Sequence, residues 1–373
     1  MIYLDSAATS FYKPESVQTA VLEAMHTMAS PGRGAHAPAM RAADCCYACR
    51  EALGELFHMP DPEKVVFTFN ATHGLNIAIR SLVRRGTHVL ISGYEHNSVT
   101  RPLHALGADV KIIDTPLFDR DAFLNSASVL LSWAEVVICT HVSNVFGFIL
   151  PVEALARLCR ERSVPLIIDA SQSAGTLELD FPELGAAFAA MPGHKGLMGP
   201  QGTGVLLCQN DAFPLLYGGS GSASLLQTMP EYLPDRLEAG THNVAGIAGL
   251  LASVRYLRER GLWHIAERER ALMNRFYRQI AALPELRCYY HESMALQSAV
   301  LSVVPENMDC ERFADALSDH GVAVRTGLHC APTAHATAGT LETGTVRFSF
   351  SPFNTAEQID SAAEICKKVL KNT

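Results

Sequence analysis

The stretch Val164-Pro-Leu-Ile-Ile-Asp-Ala-Ser-Gln172 runs apolar and β-branched for five residues and then ends on a carboxylate, two small residues and an amide. A continuous apolar run of this length reads as a strand buried on both faces, as in a parallel sheet. Runs of the same kind recur along the chain: Lys64-Val-Val-Phe-Thr-Phe69, His88-Val-Leu-Ile-Ser92, Val110-Lys-Ile-Ile113, Glu135-Val-Val-Ile-Cys139 and Gly204-Val-Leu-Leu207. The segments between them carry helical periodicity, for example Val152 to Arg162. Strand and helix in alternation predict an α/β sheet covered on both faces. A long amphipathic stretch follows, from Ala245 to Arg260 and on through Ile280. From about Leu286 the pattern is strand, helix, strand: Ala299-Val-Leu-Ser-Val303, Cys310 to His320, and Thr345-Val-Arg-Phe-Ser-Phe350. A closing helix is expected from Ala356 to Leu370.

The chain has 373 residues, a soft prior for about two domains. Its 48% hydrophobic and 18% charged residues supply a sizeable core. A net charge of -8, without a basic stripe, argues against a nucleic-acid binder. No apolar run reaches the ~18 residues that span a bilayer. Met1-Ile-Tyr-Leu-Asp5 has no signal-peptide character, so a cytoplasmic protein is expected. Ten cysteines in such a chain predict free thiols rather than a disulfide framework. Cys46 and Cys49, three apart on an expected helix, read as small apolar core residues.

Two clusters carry the chemistry. Met191-Pro-Gly-His-Lys-Gly-Leu-Met-Gly-Pro-Gln-Gly-Thr-Gly204 contains five glycines and two prolines around Lys195, poor material for helix or strand and suited to backbone wrapped about a ligand. Arg325-Thr-Gly-Leu-His-Cys-Ala-Pro332 sets a cysteine on a loop beside a histidine. An amine and a thiol in one site are what sulfur extraction from an amino acid requires, the lysine holding an aldehyde cofactor as a Schiff base and the thiolate taking the sulfur. Further upstream, Asn70-Ala-Thr72 opens a helix after a strand. It reads as a phosphate site or as a plain N-cap. Asp169 ends a strand where ligands bind in such sheets, and reads as the partner of a pyridine nitrogen or as a turn residue. Gln172 and Asn144 could contact a ring oxygen, and His96 could stack on the ring.

With these residues set out, the chain resembles the class V aminotransferases that use pyridoxal phosphate, and within them the cysteine desulfurases. The similarity runs from Leu4-Asp-Ser-Ala-Ala-Thr-Ser10 to Arg347-Phe-Ser-Phe-Ser-Pro-Phe-Asn-Thr355. The markers come in the family's order: Arg33-Gly-Ala-His36, Asn70-Ala-Thr72, Glu95-His96, His141-Val-Ser-Asn144, Asp169-Ala-Ser-Gln172, Gly193-His-Lys195, Glu238-Ala-Gly-Thr241 and Arg325-Thr-Gly-Leu-His-Cys330. The short cysteine loop is similar to that of the sulfur-mobilisation desulfurases and selenocysteine lyases.

The resemblance implies a type I fold of this cofactor class: a large domain with a mostly parallel seven-stranded sheet over 15–255, and a smaller α+β domain formed by 1–14 and 256–373. It implies that Lys195 carries pyridoxal 5'-phosphate and then moves the α-proton. Asp169 would pair with the pyridine nitrogen, Gln172 and Asn144 would contact the ring oxygen, and His96 would stack over the ring. Ala71 (by its backbone), Thr72 and His194 would hold the phosphate. Thr241 would reach the partner subunit's phosphate, which implies a homodimer. Arg347 would grip the carboxylate of L-cysteine. Cys330 would take the sulfur as a persulfide and pass it to an acceptor protein. His36, Arg325 and His329 would line that approach, and Arg325 or His329 would favour the thiolate. Selenocysteine lyase, another aminotransferase or β-lyase activity, and a non-catalytic scaffold of the same fold are the alternatives.

Three positions depart from the pattern. Pro192 stands where the family usually has Ser or Thr, three residues before the lysine, so one phosphate hydroxyl is lost. His242 replaces a proline, and Leu328 stands where a histidine is common.

Overall fold

The computed structural model describes residues 1–32 and 34–371. Seven strands form the main sheet, in the order Val65–Thr68, Gly204–Cys208, Phe188–Pro192, Leu166–Asp169, Val136–Thr140, His88–Ser92, Asp109–Ile113. All run parallel except Gly204–Cys208, which is antiparallel to both its neighbours. Alternate residues feed different cores. Leu90, Val137 and Ile168 join one cluster, while Val89, Ile91, Ile138 and Ile167 join another on the opposite face. Burial on both faces is why these strands lack the apolar–polar alternation of a half-solvated sheet.

Two strands differ from the sequence expectation. Phe188–Pro192 was not expected, because Phe-Ala-Ala-Met-Pro carries no β-branched residue; pairing on both sides makes it a strand. Asp109–Ile113 was expected to be buried, yet Val110 and Ile112 are 39% and 43% exposed. This strand ends the sheet and pairs only with His88–Ser92.

The amphipathic stretch is two helices, Val244–Arg260 and Leu262–Ile280, broken at Gly261, whose φ is 79°. Beyond them lies a four-stranded antiparallel sheet in the order Arg325–Gly327, Thr345–Ser349, Val300–Pro305, Leu286–Tyr289. It shares a separate core with Leu4, Phe276, Phe313 and the helix Ala356–Lys371. The N-terminal strand Ile2–Tyr3 pairs with Val322–Ala323 in this second body. The chain then crosses to the Lys195 loop, where the Ser10 amide donates to the His194 carbonyl at 2.8 Å. Among the described residues no helix is long and apolar enough to cross a membrane.

Candidate active site

The C-terminal ends of the parallel strands open on one cavity of about 90 Å³. Its walls bring together Ala71, Thr72, His96, Asn144, Asp169, Gln172, His194 and Lys195, residues spread over more than a hundred positions of sequence. Each arrives by the same route, at the end of a strand or in the segment just after it. Asp169 is the last residue of Leu166–Asp169, and Lys195 follows Phe188–Pro192.

The floor is a helix start. Asn70 caps the helix Ala71–Leu82 by accepting from the His73 amide at 3.0 Å, so the cap reading of this motif holds. The amides of Ala71 and Thr72 keep no hydrogen-bond partner among the described residues, which leaves two donors at the positive end of the helix. Asp169 accepts through Oδ1 from the Ser171 amide at 2.9 Å and from its hydroxyl, leaving Oδ2 for another donor. Gln172 donates to the Ala7 carbonyl at 2.9 Å, and Asn144 to the His329 carbonyl at 2.8 Å. Each amide keeps a second N–H for a ligand.

Electrostatics set the protonation states. Lys195 is pushed down to about 8, first by burial and then by Arg347 and Arg325, against the pull of Asp169 and Asp5. His96 is pushed down to about 4, chiefly by burial. Its Nδ1 accepts from the Ser98 amide at 3.0 Å, which puts the remaining proton on Nε2. His194 is also pushed to about 4 by burial and by Lys195 and Lys13. Both imidazoles are therefore neutral near pH 7. Glu95, the wholly buried residue before His96, is pushed up to about 8 by burial and ties Ser92 to the Thr140 amide.

Two flat neutral donors, a carboxylate with a free oxygen, an amine of lowered basicity and unpaired helix amides suit a phosphorylated pyridine aldehyde. Lys195 and Gln172 also wall a second, larger cavity of about 850 Å³ that lies against the helix Leu262–Ile280 and the segment Ser349–Pro352.

Arg347 lies beside this group. It is 2% exposed, donates to Asp5 Oδ1 at 2.7 Å and to the Asn144 carbonyl at 2.9 Å, and leaves Nε without a partner. Asp5 falls in the N-terminal stretch of the family resemblance, but sequence gives it no role. Its importance comes from an arginine 342 positions away.

The thiol is presented differently. Of the ten cysteines Cys330 is the exposed one. The other nine are pushed up by burial, Cys46 to about 12. Cys45, Cys46 and Cys49 sit in the main core, as expected of small apolar residues. His329 and Cys330 both have left-handed backbone, with φ of 48° and 56°. The loop is fastened to the main sheet's turns by Asn144 on the His329 carbonyl and by the Asn97 amide on the Cys330 carbonyl at 2.7 Å. Asn97 is the neighbour of His96, so the thiol loop adjoins the Lys195 cavity.

One expectation needs correction. His329 cannot favour a thiolate by carrying charge: burial holds it well below its usual range, and its Nε2 turns to Thr345 Oγ1 at 3.0 Å. His36 is exposed and caps the helix Ala37–Leu56; it lines neither cavity. Arg325 is exposed in a strand, in register with Arg347. Thr241 lies in a different crevice, with Phe67, Gly202 and His242, and not at this chain's own Lys195 cavity. There Glu238 accepts from Arg50 and from the Phe67 amide, and His242 Nε2 lies 3.1 Å from Glu238 Oε2. Arg33 lies outside the described residues.

The model of the class-V aminotransferase family matches residues 2–361. A probable cysteine desulfurase of Methanothermobacter thermautotrophicus is 31% identical, across 99% of this chain and 94% of its own length. A solved apo cysteine desulfurase from Thermococcus onnurineus NA1 is 30% identical, with a TM-score of 0.90, covering 100% of this chain and 95% of that one. A cysteine desulfurase structure from Escherichia coli is 26% identical, with a TM-score of 0.84, covering 100% and 95%.

Proposed function

This chain belongs to the class-V aminotransferase family, and we propose that it is a pyridoxal-phosphate-dependent cysteine desulfurase that turns L-cysteine into L-alanine and holds the sulfur as a persulfide on Cys330. The observation that carries this reading is one cavity walled by Lys195, Asp169 and His96, with the single exposed cysteine on a loop hydrogen-bonded to its rim.

Pyridoxal phosphate, when bound, supplies an electron sink that acidifies the substrate's α-hydrogen and opens its sulfur to attack. The residues do the rest. The Ala71 and Thr72 amides, the Thr72 hydroxyl and His194 would hold the phosphate. Asp169 Oδ2 would keep a proton on the pyridine nitrogen, and the free N–H groups of Gln172 and Asn144 would serve the ring oxygen. His96 would cover the ring as a neutral imidazole and so add no competing charge. Lys195, lowered to about 8, would hold the cofactor through its Nζ and is poised to accept and return a proton there. Arg347 takes the substrate carboxylate with the donors that Asp5 and Asn144 leave over, a task for a planar guanidinium. Cys330 attacks the substrate sulfur. An S–S bond forms, the Cβ–S bond breaks, and the carbon skeleton keeps the electron pair until protonation gives alanine. Exposure of Cys330 lets the sulfur leave for an acceptor protein. The division into a large domain of 15–255 and a small one of 1–14 and 256–373, a homodimer with Thr241 reaching the partner's phosphate, and a cytoplasmic setting complete the proposal.

The test is incubation with L-cysteine and a reductant, with alanine and sulfide measured together. Equal amounts of both are expected from the wild type, and neither above background from Cys330→Ala. Undiminished sulfide from Cys330→Ala would refute the assignment of the thiol.

A further inference from the structure

Pro192 deprives the cofactor cavity of a hydroxyl, and the cavity offers another from a different part of the chain. Ser98 lines the same cavity as Pro192, Ala71 and Thr72. Its Oγ lies 2.7 Å from Thr72 Oγ1. Ser98 sits in the first turn of the helix Asn97–Leu106, and Thr72 in the first turn of Ala71–Leu82. Two helices thus point their positive ends at one spot, which suits an anion.

We propose that Ser98 is a ligand of the cofactor's phosphate and supplies the hydroxyl that Pro192 cannot. The proposal rests on the cofactor reading above.

The donor inventory supports it. The amides of Asn97 and Ser98 are already used, by the Cys330 carbonyl and by His96 Nδ1. The His96 lone pair is thereby filled, although Ser98 Oγ stands 2.9 Å away, so the hydroxyl proton is not needed there. Ser98 and Thr72 share one hydrogen bond between them. A phosphate dianion offers several strong acceptor oxygens and can draw a proton from each hydroxyl. Ser98 is 9% exposed, so a charge-assisted bond at this place is little weakened by water. The competing account is that Ser98 only orients His96, and it makes a different prediction.

The experiment titrates cofactor-free protein with pyridoxal 5'-phosphate and, separately, with pyridoxal, following the absorbance of the bound form. Ser98→Ala should weaken binding of the phosphorylated compound about tenfold and leave pyridoxal unchanged. Adding Pro192→Ser to that variant should restore most of the loss. Ser98→Thr, which keeps the hydroxyl, should stay near wild type. Unchanged phosphate-dependent affinity in Ser98→Ala would overturn the assignment, and so would equal losses for both compounds, the signature of a role through His96 alone. A wild type that binds neither compound would instead overturn the cofactor reading itself.

Discussion

The two reactive groups of this site sit on opposite kinds of structure. Lys195 follows a strand that is paired on both sides, in a loop packed so tightly that a Cβ on Gly175 would come within 2.2 Å of the Gly196 carbonyl. Cys330 stands exposed in left-handed backbone that non-glycine residues rarely adopt, fastened to the main sheet's turns by two hydrogen bonds. One region fixes geometry and the other accepts strain for access. A cofactor must be held still, whereas a sulfur carrier must be reached from outside. The difference suits the separate tasks that the proposed function gives the two residues.

The comparison can be broken most directly by removing each group. Lys195→Ala should lower desulfuration by about 10⁴-fold or more and abolish the bound-cofactor absorbance. Cys330→Ala should lose sulfide formation to a similar degree with that absorbance unchanged. Loss of the absorbance in both variants would show that the two regions are not independent.

A smaller effect is expected at the substrate grip. Arg347→Lys should raise KM for cysteine by about ten- to a hundredfold, since the planar fork and its Asp5 partner are both lost. Steady-state rates over a range of cysteine concentrations check this.

Backbone changes sharpen the contrast. Gly175, at φ 90°, cannot accept a side chain without displacing Gly196. Gly175→Ala should cost about 2–3 kcal/mol in urea unfolding and weaken cofactor binding. The rate at which an alkylating reagent labels Cys330 should not change. On the thiol side, Cys330→Gly should be about 1 kcal/mol more stable than Cys330→Ala, because glycine relieves the left-handed backbone.

The pH dependence follows from burial. A lysine lowered to about 8 becomes neutral as pH rises through that value, far below the ordinary lysine range. Cofactor uptake by cofactor-free protein should therefore accelerate with pH and level off above about 8. His96 and His194, already neutral, should add no inflection between pH 5 and 8.

The main sheet was legible because doubly buried strands must be continuously apolar, and sequence records that directly. Phe188–Pro192 was not, since its alanines become a strand only by being flanked. Asp169 and Lys195 stood out by their place at a strand end and in a glycine-rich loop. Asp5 and Ser98 did not, because one acts through a distant arginine and the other reads as an ordinary helix-start serine. The neutral state of His329 was not legible for a related reason. Burial and the contact with Thr345 are tertiary facts, and the neighbouring cysteine in sequence says nothing of them. His36, which carries a family motif, also caps the helix Ala37–Leu56.

One measurement bears on the central claim that a fixed amine and an accessible thiol act on the same substrate. Protein given a single equivalent of L-cysteine is digested without reductant, and its cysteine peptides are weighed by mass spectrometry alongside an assay for alanine. The account predicts a gain of one sulfur on the peptide carrying Cys330, matched by alanine, and neither in Lys195→Ala. Alanine formed with the extra sulfur on another cysteine, or with no sulfur retained on the protein, would contradict it.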